Sequence, residues 1–157
     1  MEQKSDFQRS LTSQLFTAAR LWRKVVDQAL IEHGISEACA APLLWISRLG
    51  GGVRQTALAE HVGIESPSLV RLLDQLEALE MVVRKDDPSD RRAKGLWLTE
   101  TGVEMAARIE AVLDRERARV LGNMSERELE TAYRVLDVFQ GRCFDALQSG
   151  SKKEDGQ

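Results

Sequence analysis

Four charged side chains crowd one short stretch of this 157-residue chain: Asp90, Arg91, Arg92 and Lys94 lie within DPSDRRAKGLWLT, residues 87–99, between Pro88 and Gly95. Cations set this close together suit a polyanion, since a guanidinium engages phosphate or a base edge through a planar fork. On a bare hairpin tip the same charges would only keep the turn solvated. From Arg84 to Lys94 the chain holds five basic and three acidic residues, a local charge of +2 in a chain of formal net charge −3. That balance excludes coating of nucleic acid or membrane by bulk attraction and leaves a local basic patch to make any such contact.

A second set of candidate groups lies upstream, in GIESPSLVRLLDQLE, residues 63–77. Ser66 reads as a helix N-cap with Pro67 at the first helical position. At roughly 100° per residue, Leu69, Leu72, Leu73, Leu76 and Leu79 share one face, Arg71 and Asp74 lie opposite, and Ser68 and Gln75 flank. The apolar face belongs to a core. Ser66, Ser68 and Arg71 are left outside, small hydrogen-bonding groups around one guanidinium, a composition suited to phosphates and base edges. An ordinary surface helix would look the same in isolation.

Periodicity supplies the elements that hold these groups. Phe7, Leu11, Leu15, Ala18, Trp22, Val25 and Ala29 recur every three or four residues, predicting a helix of about 25 residues that ends at His33-Gly34. Ser36 caps a second helix running to Leu49 with Pro42 near its first turns, and the glycines at 50–52 stop it. Gln55 to Val62 forms a short helix closed by Gly63, so residues 54–82 read as a helix-turn-helix. MVVRK (81–85) and LWL (96–98) are rich in strand formers and pair as a hairpin around the basic segment. A helix-turn-helix followed by a hairpin is a winged helix-turn-helix, with the basic segment placed where a wing meets a minor groove.

Thr99 caps a long helix to Leu121 with Val103, Ala107, Val112, Leu113 and Val120 as its apolar positions. Ser125 and Glu128 form a capping box for a last helix through Leu129, Ala132, Tyr133, Leu136, Phe139, Cys143 and Leu147. The expected fold is mainly α with a small β-hairpin wing, one domain over 1–157. Within it, helices 7–34 and 100–148 serve dimerisation, 36–99 is the winged DNA-binding region and 149–157 is a disordered tail. Long helices with apolar faces point to a second copy, which would space two recognition helices for a pseudo-palindromic site. An intramolecular bundle is the alternative.

The remaining features are mostly exclusions. With 43% apolar and 30% charged residues the composition is that of an ordinary soluble protein. No stretch approaches the roughly 20 apolar residues of a membrane span, and MEQKSDFQRS lacks a signal-peptide core, so a cytoplasmic location is expected. Cys39 and Cys143 read as structural thiols, and His33 and His61 stand apart from any metal-ligand cluster. No Ser-His pair, paired glutamates or phosphate loop calls for an enzyme or a cofactor.

The order of elements resembles the MarR family of winged-helix regulators. DxRRAKGLWLT fits that family's wing pattern through Asp90, Arg92, Leu96, Leu98 and Thr99, and ARLWR (19–23), residues 63–77 and SDRRAK (89–94) resemble the SlyA subgroup. The motifs span residues 19–99. The resemblance implies a homodimeric repressor or anti-silencer on double-stranded DNA. It places Ser66, Pro67, Ser68, Arg71 and Gln75 on the recognition helix, and Asp90, Arg91, Arg92 and Lys94 on the wing, with Asp90 bracing an arginine. It also implies release by a small aromatic carboxylate or phenol, for which Arg20, Trp22, Arg23, Trp45 and Arg48 are candidates, since planar rings beside guanidinium groups suit such a ligand. Those tryptophans could equally be core. Redox response through Cys39 and a protein-docking winged helix are the alternative functions.

Overall fold

The computed structural model describes residues 2–87 and 90–151; for residues 2, 87, 90–93, 150 and 151 the description covers the backbone alone. The chain divides into two compact units, Met1–Glu116 and Arg117–Gln157.

The first unit opens with α1 (Glu2–Leu30), which starts before Phe7 and gives way to a 3-10 turn at Ile31–His33. Gly34 then takes the left-handed conformation (φ 71°). Only the last turns of α1 enter the core, through Val26 and Leu30, whereas Phe7 and Leu11 of the predicted apolar face are exposed. α2 (Glu37–Leu49) begins as expected, the Ser36 hydroxyl accepting a hydrogen bond from the Cys39 N–H at 3.3 Å. It runs on through Pro42, whose ring is fully buried. A two-residue strand, β1 (Val53–Arg54), follows; the sequence did not announce it.

α3 (Gln55–Val62) ends at Gly63 (φ 73°), whose N–H bonds the Ala59 carbonyl at 2.8 Å, giving the expected tight interhelical turn. α4 (Ser66–Ala78) starts one residue earlier than predicted: Glu65 is the extended N-cap, so Ser66 and Pro67 already lie in the first turn. Proline tolerates that place because the first-turn N–H groups have no helical acceptor. Leu69, Leu73 and Leu76 are completely buried, sealing α4 onto α2, α3 and the sheet. Leu79, predicted on the same face, is 49% exposed because the helix stops at Ala78 and Leu79 is its C-cap. Glu80 then adopts φ 54°, and the Met81 N–H returns to the Leu76 carbonyl at 2.9 Å, a Schellman closure built without glycine.

β2 (Val82–Asp87) and β3 (Asp90–Leu98) form the wing, and β1 adds a third antiparallel strand in the order β1-β3-β2. The Trp97 indole lies against Gly51 and Gly52, where an added Cβ would come within 2.6 Å and 3.3 Å of the ring. Those glycines therefore do more than stop α2. α5 (Glu100–Leu121) starts at the Thr99 cap, whose hydroxyl accepts from the Gly102 N–H at 3.0 Å. Its buried face is Gly102, Ala106, Ile109, Val112 and Leu113. The predicted Val103, Ala107 and Val120 face outward instead, since the inward face is set by close approach: a Cβ on Gly102 would strike the Met81 carbonyl.

In the second unit, α6 (Glu126–Ser151) begins with the predicted capping box. The Ser125 N–H and hydroxyl donate to the Glu128 carboxylate at 2.8 Å and 2.7 Å. These bonds favour the ionised form and hold the Glu128 pKa below its ordinary value, the side-chain bond most strongly. The helix continues past residue 149 to Ser151, beyond the predicted start of the tail; residues 152–157 lie outside the described ones. Among its described residues none is buried: Leu129, Tyr133, Leu136, Phe139, Phe144 and Leu147 are all exposed.

Candidate nucleic-acid interface

Burial of one face of α4 decides what the other presents. With Leu69, Leu73 and Leu76 locked inside, Ser66, Pro67, Ser68 and Arg71 are exposed together at the start of the helix, free of the core. Gln75 is differently occupied. Its Oε1 accepts the Cys39 thiol at 3.2 Å, tying α4 back to α2 beside a cavity of about 380 Å³ that Ala78 and Leu79 also line.

The wing is more regular than a charged turn between Pro88 and Gly95. Pairing runs from Val82↔Leu98 to Asp86↔Lys94, slips, and resumes at Asp87↔Asp90, so Asp90, Arg91, Arg92 and Lys94 belong to β3 itself. Extended backbone on β2 offers β3 hydrogen-bond partners almost to the tip, and the slip absorbs the extra residues on β3 as an irregularity of the bulge type. Lys94 is exposed across from Asp86. The side chains of Asp90, Arg91 and Arg92, including the predicted bracing by Asp90, lie outside the described residues, as do Pro88 and Ser89.

One basic residue of the wing has another task. Arg84 on β2 donates through Nη2 to Asp74 Oδ1 at 3.0 Å and through Nη1 to Glu77 Oε2, both on α4, while its backbone N–H reaches Glu77 Oε1 at 3.3 Å. Along the sequence Arg84 belongs with the basic patch, and Asp74 is no more than an outward residue of α4. The usable signal was a pair of acids three residues apart on the exposed side of a helix, followed by an arginine at the root of the next strand.

The five ligand candidates form two groups. Trp22 lines a cavity of about 100 Å³ with Val26, Glu37, Leu44, Ile109 and Leu113, and Arg23 Nε lies 3.9 Å from Glu37 Oε1. Arg20 is exposed on α1. Trp45 instead stacks on His61 of α3, with ring centroids 4.8 Å apart, and carries Arg48 at 5.6 Å from the ring centre. Arg48 in turn grips Glu110 Oε1 through Nη2 at 2.6 Å and Nε at 3.1 Å. Glu37 and Glu110 were not singled out by the sequence, and His61 was considered only as a metal ligand, because tertiary packing alone brings them to these side chains. Cys39 is 5% exposed and Cys143 exposed. Among the described residues no group of His, Cys, Asp or Glu is placed to hold a metal, and no helix is long and apolar enough to cross a membrane.

A helix-turn-helix whose second helix shows a polar start to solvent, backed by a three-stranded wing, defines a winged-helix DNA-binding protein. The MarR family profile matches residues 33–93. The crystal structure of transcriptional regulator PA3341 is 34% identical over 86% of this chain and 98% of that one, with a TM-score of 0.81. CouR from Rhodococcus jostii RHA1, bound to p-coumaroyl-CoA, is 26% identical over 82% of this chain and 90% of that one, TM-score 0.76. The S. aureus MepR–DNA complex shares the fold at 22% identity over 83% of this chain and 95% of that one, TM-score 0.74. The chain belongs to the MarR family and is a DNA-binding transcriptional regulator.

Proposed function

We propose that two copies of the chain act as a repressor on a pseudo-palindromic operator, in the manner of the SlyA-like subgroup that ARLWR and SDRRAK resemble. α4 enters the major groove with Ser66, Pro67, Ser68 and Arg71, and Arg91, Arg92 and Lys94 carry the wing into the flanking minor groove, where a narrow groove favours guanidinium groups. The supporting observation is the complete burial of Leu69, Leu73 and Leu76, which leaves the polar start of α4 exposed as a rigid unit. Gln75, whose Oε1 accepts the Cys39 thiol, would contribute through its Nε2 amide alone. α1, α5 and α6 carry the dimer, and residues 36–99 the reading head.

The effector site proposed is the cavity at Trp22, with Arg23, which pairs with Glu37 of its lining, and Arg20 on the same helix as the cations proposed to receive the carboxylate of a small aromatic acid. Arg48, which pairs with Glu110, and Trp45, which stacks on His61, do not line this cavity, so the proposal leaves them out. Redox control through Cys39 is disfavoured by the burial of the thiol. A protein-docking module would show no steep salt dependence on DNA.

The test is selection of bound genomic fragments followed by titration of the best one against salt. The expected result is a loss of affinity of several orders of magnitude between low and moderate salt; a flat profile refutes the phosphate contacts. Arg92→Ala is expected to weaken binding by about 10-fold or more, lower the salt slope by about 0.9 and leave the melting temperature in place. Salicylate-like acids are expected to release the fragment, and an effect that survives in Arg20→Ala/Arg23→Ala moves the effector elsewhere.

A further inference from the structure

We infer that Arg84 is a positioning residue for DNA reading: with Asp74 and Glu77 it clamps the root of the wing to the back of the recognition helix, so that both reading elements approach DNA as one body. The inference rests on the DNA-contacting roles proposed above for α4 and the wing. Its geometry is particular. One guanidinium spans two carboxylates one helical turn apart, and the backbone N–H of the same arginine binds one of them. The Arg84 and Glu77 side chains are only 26% and 30% exposed, so the pair is less screened than a surface salt bridge. A lysine could not reproduce this arrangement, because the fork is what reaches both partners in one plane.

The clamp also explains why a helix offered to a polyanion carries two acids. Asp74 and Glu77 lie two and three turns past Ser66, on the part of α4 that meets β2, and their charge is absorbed by Arg84. Without the clamp, the wing would be held to α4 by the short connection at Leu79 to Met81 and by apolar packing, with no ion pair from Arg84 to fix its angle. Its minor-groove contacts would then have to be ordered during binding, at a cost in affinity.

Simple electrostatics and the clamp make opposite predictions for Glu77→Gln. Removal of a negative charge near DNA should tighten binding, whereas loss of the clamp should weaken it. Binding of the dimer to the selected fragment is measured for Arg84→Ala, Glu77→Gln and the double variant, with salt slopes and hydroxyl-radical footprints. The expected result is weakening of about 10-fold in each single variant and little further loss in the double, since the two residues act through one interaction. The salt slope stays at its wild-type value, because Arg84 touches no phosphate, and protection of the flanking minor groove is lost while the major-groove protection remains.

Tighter or unchanged binding by Glu77→Gln overturns the clamp, as does a slope reduced by about 0.9 in Arg84→Ala, which would make Arg84 a phosphate contact. Should Arg84→Ala fail to fold, Arg84→Lys replaces it and is expected to fall between wild type and Glu77→Gln. A wild-type protein without salt-dependent binding overturns the underlying DNA reading and the clamp together. That failure is visible before any variant is made.

Discussion

α4 and α6 carry similar apolar stripes and put them to opposite use. On α4 the leucines at 69, 73 and 76 have no exposed surface, because α2, α3 and the wing close over them. On α6 Tyr133 and Leu147 are more than 70% exposed, and the whole stripe stands open in the single chain. A period of 3.6 residues identifies an apolar face; it says nothing about which surface covers it. The orientation of α4 is thus fixed by its own chain, whereas the stripe of α6 is left uncovered among the described residues.

The largest effect should come from charging that stripe. Leu136→Asp/Phe139→Asp is expected to give a monomer in sedimentation and to weaken operator binding by about 100-fold or more, since two half-sites are no longer engaged together. A dimer that survives both charges would break the comparison outright. Next, Leu73→Ala should cost about 2–5 kcal/mol of folding stability through the cavity it leaves, and Leu136→Ala should act mainly through the protein concentration needed to reach a given melting temperature. If the two variants responded to dilution alike, the contrast between α4 and α6 would be lost.

The smallest effect concerns the start of α6, which is fixed locally. Ser125→Ala should remove about 1 kcal/mol by unmaking the cap. Because folding lowers the Glu128 pKa, its contribution is complete above the ordinary carboxyl range and disappears as the pH falls through the lowered folded-state value. Thermal melts of wild type and Ser125→Ala should therefore draw closer in acid, where only the bond from the Glu128 N–H to the Ser125 hydroxyl remains of the cap, and a gap that does not narrow would locate the cap energy elsewhere.

What could be read from the sequence was what neighbouring residues decide among themselves. Ser36, Gly63, Thr99 and the Ser125–Glu128 pair each act within a turn of their own helix, and all four stand as expected. The exposed hydroxyls and guanidinium at the start of α4 were equally legible, because three leucines on the opposite face fix the helix rotation. β1 was not, since Val53 and Arg54 become a strand only by meeting Leu96 and Gly95. The inward face of α5 was misjudged toward Val103 and Ala107 because apolar positions were weighed along the chain alone, whereas Gly102 faces inward where the Met81 backbone, across the fold, leaves no room for a side chain. Arg84 was misread for the same reason: charge was counted along the chain, and its partners lie across the fold.

The bed of glycines under Trp97 has a practical consequence. The three tryptophans stand in three different neighbourhoods: Trp22 at the cavity, Trp45 on the His61 ring, and Trp97 against Gly51 and Gly52 where β3 leaves the core. The protein therefore carries its own fluorophore at the root of the wing. With Trp22 and Trp45 replaced by Phe, the emission of Trp97 gives an unlabelled, time-resolved signal of wing movement as DNA arrives and leaves.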